Sequence, residues 1–269
     1  MLFLKKDRKL ILNVSDLWPI AGLELGAFKQ NYSYRILERI ERFNYNKATL
    51  VMGQSEEILA HVTKLIPDKK TLLYRNYPDF NPPLLRDREA SSVKVKMVYA
   101  GLLGVAQGIL KLCQNLDCSS IEFHIYGDGA EANKIKEFLR SNPDLSIKYH
   151  GEVSRKELHG LLMSYDITII PLLKRIYGSV PSKIFEFCRL GLPVLYFGGG
   201  EGEQIIVDND LGWIARSSDY DDLNSVLKNI RLEDLNIERR KKIQETAIEK
   251  FDFQGQIQHL IKILNKTDQ

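Results

Sequence analysis

At 269 residues the chain is long enough for two domains, or one and a half, and its 44% hydrophobic and 27% charged residues are ordinary for a globular protein. A formal net charge of +3 without a dense basic stripe excludes nucleic acid as the expected partner. Three cysteines, Cys113, Cys118 and Cys188, lack CxxC spacing and so form neither a disulfide framework nor a zinc site, which favours a reducing cytoplasm.

The opening MLFLKKDRKLILNV is broken by Lys5, Lys6, Asp7, Arg8 and Lys9, so it reads neither as a signal-peptide core nor as a membrane helix. No segment approaches the ~20 apolar residues that span a bilayer. Leu10–Val14 then reads as a strand, Tyr32–Asn46 as a helix, Thr49–Met52 as a strand, Glu56–Leu65 as a helix and Thr71–Tyr74 as a strand. Along Tyr34–Lys47, Ile36, Leu37, Ile40 and Phe43 share one side, while Arg35, Arg39, Arg42 and Lys47 hold polar positions. Such a helix can lie on an anionic membrane, where lipid-linked molecules are found. The preferred expectation is plainer: its apolar face packs on its own sheet. A boundary follows in NYPDFNPP (Asn76–Pro83), where three prolines break any regular element.

Further on, apolar runs alternate with amphipathic stretches. Strands are expected at Val95–Ala100, Ile121–Tyr126, Ser146–Tyr149, Ile167–Ile170, Pro193–Phe197 and Leu211–Ala215. Helices are expected at Gln107–Asn115, Ala130–Ser141, Arg155–Ser164, Ser182–Leu190, Glu203–Asp208 and Tyr220–Ile230. This alternation predicts a doubly wound parallel sheet with helices on both faces, Rossmann-like in handedness. The tail from Asn236 to Lys266 reads as one or two helices. The expected division is a partial N-terminal domain over 1–85, a C-terminal domain over 86–235, and helices over 236–269 that pack back toward the first domain.

Ligands bind such sheets at the carboxyl ends of the strands, so the loops there are the candidates. After the first strand comes Gly101-Leu102-Leu103-Gly104, with Gly108 beyond; after the second, Gly127-Asp128-Gly129; after the third, His150-Gly151-Glu152-Val153. Glycines permit tight turns and close approach of backbone to a ligand, although each of these could be a turn and nothing more, and His150 is expected to be structural. The strongest feature is Pro181-Ser182-Lys183-Ile184-Phe185-Glu186, in which Ser182 is expected to cap a helix and Lys183 and Glu186 to share its first turn. A lysine with free N–H groups suits a diphosphate, and a carboxylate one turn on suits two ribose hydroxyls. The competing reading is an exposed ion pair. Asp208-Asn209-Asp210 has the form of a metal-holding DxD but falls on the wrong rim, and no metal is expected.

The run YAGLLGVAQGI, then IYGDG, HGEV, PSKIFEFCRLGLPVLYF and GEGEQIIVDNDLGWI, resembles the family 4 glycosyltransferases of the GT-B fold. SDLWP, the YRILERIERFNYNKATLVMGQSE stretch and NYPD resemble the subset that builds bacterial capsular and lipopolysaccharide sugars. The resemblance implies two facing Rossmann-like domains, the first lacking its opening strands. It implies a nucleotide-sugar donor, UDP-linked in preference, as substrate and no separate cofactor. It also implies retention of anomeric configuration without a metal, and a glycan or polyprenyl-linked acceptor. By resemblance Glu186 holds the donor ribose, while the first glutamate of the family pair would fall at Gly178 and the family's phosphate-binding arginine and lysine at Leu102 and Gln107. Lys183, the Gly101–Gly104 backbone and the helix at Ser182 remain to neutralise the leaving diphosphate, with Arg175 behind them. Ser15 falls where many relatives place a histidine, with Asp16 beside it. The expected site is therefore Lys183 and Asp16 as catalytic residues, with Gly101, Gly104, Gly127, Gly151, Val153, Ser182, Lys183 and Glu186 holding the donor.

Two classes of function stay open: a sugar transferase of the cytoplasm or inner membrane face, and a non-catalytic donor-binding subunit or inactive fragment. An incomplete first sheet would expose a strand edge, so a partner chain or self-association is expected. A dehydrogenase lacks its GxGxxG, and a sugar-nucleotide epimerase is a minor alternative.

Overall fold

The structure, a computed structural model, describes residues 8–27, 29–85 and 93–266; Lys5, Lys6 and Asp7 lie outside them. Two compact units result, one of Met1–Asn76, Ile176–Val180 and Phe253–Gln269, the other of Tyr77–Arg175 and Pro181–Asp252.

In the first unit β1 (Ile11–Val14), β2 (Leu50–Gly53) and β3 (Thr71–Leu73) form a three-stranded parallel sheet in that order. The connections carry α1 (Ile20–Glu24), α2 (Tyr32–Lys47) and α3 (Glu56–Leu65). Asn31 and Ser55 start α2 and α3 by accepting from the N–H groups of Tyr34 and Ile58, the usual work of a short polar side chain at a helix entrance. Val14, Leu17, Tyr45, Val51, Ile58 and Val62 close the core.

α2 corrects an expectation. Its buried positions are Tyr34, Glu41 and Tyr45, not the aliphatic stripe. Glu41 is tolerated inside because Tyr45 donates its hydroxyl at 2.9 Å and His61 Nε2 stands at 3.0 Å. Ile36, Ile40 and Phe43 are left 41%, 50% and 51% exposed.

The second unit alternates strand and helix throughout: β4 (Val95–Ala100), α4 (Ile109–Asn115), β5 (Ile121–Tyr126), α5 (Ala132–Ser141), β6 (Ile147–Gly151), α6 (Arg155–Leu162), β7 (Ile167–Pro171), α7 (Lys183–Arg189), β8 (Val194–Gly198), α8 (Glu201–Asp208), β9 (Gly212–Arg216) and α9 (Tyr220–Asn229). The six parallel strands lie in the order β6-β5-β4-β7-β8-β9. The winding reverses between β4 and β7, so the carboxyl ends there form the natural crevice for a ligand. Burial follows position: the inner β7 and β8 are buried at every residue, whereas edge strand β6 exposes Lys148 and His150. α10 (Ile237–Lys250) packs on α7 of this same unit, its Arg240 guanidinium buried and donating to Gly191 O at 3.3 Å. The last helix, α11 (Phe253–Lys266), belongs to the first unit, where Leu260, Ile263 and Leu264 cover Leu50, Met52 and Leu72.

Candidate functional site

At the carboxyl ends of β4, β5 and β6 the backbone closes into a floor. Gly101 N–H donates to Tyr126 O at 2.9 Å and Gly127 N–H donates to Gly151 O at 2.8 Å. The floor needs glycine at 127: with φ +134°, a Cβ there would run into the Gly101 carbonyl. Above the floor lies a cleft of about 270 Å³ lined by Gly101, Leu102, Gly127, Asp128, Glu152 and Val153 among others.

Lys183, at the first position of α7, reaches this rim. Its ammonium donates to Ala100 O and stands 5.3 Å from the centre of the Tyr99 ring, and a Cβ on Gly101 would collide with it. Burial pushes the Lys183 pKa down to about 8, against the pull of the Glu186 carboxylate. The rim thus holds a cation that burial leaves poorly solvated.

Glu186 does not bridge to Lys183 as a simple surface pair would. Its Oε1 stands 2.9 Å from His159 Nε2 on α6, and both side chains are part-buried. The Phe80 ring lies on His159 with centroids 4.5 Å apart, and Arg189 in turn donates to Phe80 O at 2.7 Å. The carboxylate is therefore oriented by a packed imidazole. Sequence reasoning missed His159: it sits 27 positions from its partner on another helix, and no motif marks it.

The other expected residues are placed as follows. Gly151 ends β6 and Val153 lines the cleft with Glu152. Gly104 lies beside the Gln107 amide. Ser182 does not cap α7, which corrects the capping expectation: its backbone is already helical (φ −60°, ψ −20°), so the exposed hydroxyl makes no bond to the first turn. Asp16 and Ser15 follow β1 in the other unit, Asp16 exposed and Ser15 accepting from Gln54 Nε2 at 2.7 Å. His150 stacks on Tyr126 (4.5 Å) and lies 2.8 Å from His124, and burial lowers the pKa of both imidazoles.

The positions matched to family charges carry uncharged residues in different settings. Leu102 is 65% exposed on the cleft wall, and its carbonyl accepts from Tyr99 Oη at 2.6 Å. Gly178 is buried within the first unit at φ +83°, where a Cβ would come within 2.9 Å of Ile58 and 3.1 Å of Leu17. Its N–H donates to Glu57 and its carbonyl accepts from Ser55 Oγ at 2.7 Å. Asp210 of the DND run pairs with Lys242 at 2.7 Å. Arg175 lies against Gly200, with Nε 2.6 Å from where a Cβ would stand.

The architecture recurs in solved structures. A mutant form of TarM from S. aureus, in complex with Fondaparinux, alpha-GlcNAc-glycerol and UDP, matches 97% of this chain and 51% of its own at TM-score 0.71 and 16% identity. HepE from Anabaena, in complex with UDP, matches 96% and 72% at TM-score 0.74 and 16% identity. Sucrose-phosphate synthase from Thermosynechococcus elongatus matches 96% and 67% at TM-score 0.74 and 15% identity. The fold is thus α/β of the GT-B glycosyltransferase class, with two Rossmann-like units. Residues 95–231 match the family described as glycosyl transferases group 1, and the chain belongs to that family. It spans about half the length of TarM, matching 51% of that chain. No curated protein sequence matches it.

Proposed function

We propose that the chain binds a nucleoside-diphosphate sugar, UDP-linked in preference, along the carboxyl rim of β4–β6 and α7. It passes the sugar to a glycan or polyprenyl-linked acceptor in surface polysaccharide synthesis. The observation that carries the reading is the Lys183 ammonium, held at the end of β4 with a lowered pKa and with Glu186 one turn away. Solved neighbours carrying UDP support the nucleotide. In this reading Lys183 and the Gly101 and Gly127 backbone meet the diphosphate, with Gly104 and Ser182 at its margins. Glu186 takes the ribose, and Gly151 and Val153 face the base. The anomeric carbon–oxygen bond breaks, the electron pair leaves on the diphosphate, and the acceptor hydroxyl forms the new bond while its proton passes to the leaving oxygen. The transfer is retaining and needs neither a metal nor a separate cofactor. Asp16 is retained as a catalytic candidate by resemblance alone. The chain works at the cytoplasmic side of the membrane.

A second reading, a donor-binding chain that transfers nothing without a partner, is favoured by Leu102, Gln107 and Gly178 standing where family charges are expected. Thermal melts with UDP, GDP and other nucleoside diphosphates, repeated on Glu186→Ala and Lys183→Ala, test the site. Stabilisation by one nucleotide that both substitutions remove supports it, and stabilisation that survives both refutes the placement. Release of UDP from UDP-sugars in the presence of acceptor then separates transferase from binder.

A further inference from the structure

On the outward face of α2, Tyr32, Ile36, Ile40 and Phe43 follow one another at spacings of four, four and three residues, which aligns them along a single stripe of a helix. They are 74%, 41%, 50% and 51% exposed, so the described residues leave a large part of each of these side chains open. The stripe is edged with positive charge. Arg35 and Arg39 are exposed one position before Ile36 and Ile40, and Lys47 holds its ammonium 5.7 Å from the Phe43 ring centre. Neither glutamate of the helix faces this stripe. Glu41 is buried against Tyr45 and His61, and Glu38 is five positions from Phe43, about 140° around the helix.

An apolar stripe in water, flanked by cations and free of anions, matches a surface that offers hydrocarbon under a layer of negative headgroups. A soluble acidic protein would satisfy the arginines but would not require four large apolar side chains to stay uncovered. We propose that α2 lies in the interface of an anionic membrane, Tyr32, Ile36, Ile40 and Phe43 inserted at the headgroup–acyl boundary and the arginines on lipid phosphates. The proposal stands apart from the donor site and does not depend on it.

Flotation with phosphatidylcholine vesicles, with and without phosphatidylglycerol, tests this on the intact chain. Anionic vesicles should carry at least about tenfold more protein than neutral ones, and raising the salt should release it. Phe43→Ser with Ile40→Ser, and separately Arg35→Glu with Arg39→Glu, should each reduce binding about tenfold or more, with the circular dichroism spectrum and melting temperature unchanged because these side chains are exposed. A Phe43→Trp variant should shift its emission to the blue on anionic vesicles only. Equal binding to neutral vesicles, binding that survives the serine pair, or no binding at all overturns the proposal. So does a dimer in light scattering that the serine pair dissociates, since a second copy would then cover the stripe.

Discussion

Lys183→Met should make the ligand-free protein more stable and the protein with nucleotide less so. Burial lowers the lysine from its ordinary 10.5 to about 8. With the folded pKa below the unfolded one, the unfolded chain binds more protons between about 8 and 10.5, and stability rises with pH across that window. Below about 8 the penalty is complete, and 2.5 pH units at ~1.4 kcal/mol each set it on the order of 3 kcal/mol. Methionine keeps an unbranched side chain of similar reach but leaves Ala100 O without its donor, a loss of about 1 kcal/mol. The net gain is about 2 kcal/mol at pH 7, or roughly 5 °C for a unit of this size; it should shrink as the pH rises past about 8 and turn into a loss of about 1 kcal/mol above about pH 10.5, where only the missing donor remains.

The same lysine sets the pH dependence of donor binding. A diphosphate selects the ammonium form, so UDP affinity should be level up to about pH 8 and then fall by up to tenfold per pH unit. Above pH 7.5 the terminal phosphate of UDP is already ionised, its last pKa being about 6, so it does not confuse the series. Calorimetric titration of UDP from pH 7.5 to 9.5, on parent and Lys183→Met, gives the slope in one and a weak, flat response in the other. A methionine variant that melts below the parent at pH 7, or a parent whose UDP affinity ignores pH across this range, refutes the reasoning.

His159→Ala should raise the donor KM about tenfold and leave kcat nearly unchanged, since a charge-assisted bond of ~1–2 kcal/mol to Glu186 is lost before chemistry begins; steady-state kinetics or UDP titration reads it. Gly127→Ala forces a Cβ onto the Gly101 carbonyl at a positive φ, so melts should show a loss of about 1–3 kcal/mol together with the UDP-induced shift. Gly178→Glu restores the residue type of family relatives yet should lower stability by at least ~2 kcal/mol and yield no gain in UDP release, because Ile58 and Leu17 crowd the position and its φ is +83°. Leu102→Arg is the converse case: the side chain is 65% exposed on the cleft wall, so the fold should be unaffected and UDP should bind about tenfold more tightly.

Much of the sheet was legible because parallel strands buried on both faces are written as short β-branched runs; β4 and β5 fall at the residues expected, and β6 to β9 shift by one or two. Helix starts were legible where a cap residue acts, as Ser55 and Asn31 do, and misread at Ser182, where the turn begins one residue early and the hydroxyl is left outside. α1 went unseen because five residues, one of them glycine, carry no period. The α2 stripe misled for a physical reason. Apolar side chains announce a buried face only when something covers them, and here the sheet is covered instead by two tyrosines and a glutamate that satisfy their polar atoms locally. His159 was illegible because the contact that gives it meaning is tertiary.

The glycines and Lys183 could be read from spacing, but what spacing cannot reveal is the electrostatic state of the rim. Family relatives are expected to distribute the diphosphate charge over an arginine and a lysine in the first loop. Here Leu102 and Gln107 stand in those places, and Lys183 reaches the rim at a cost to the folded state. A lone buried ammonium behaves differently from a cluster of solvated cations. Its charge is unfavourable until an anion arrives and favourable afterwards, so binding and protonation are coupled at one side chain. On the proposed reading, donor affinity is therefore more sensitive to pH and less sensitive to salt than a rim of exposed arginines would make it, because Debye screening acts weakly on a desolvated pair.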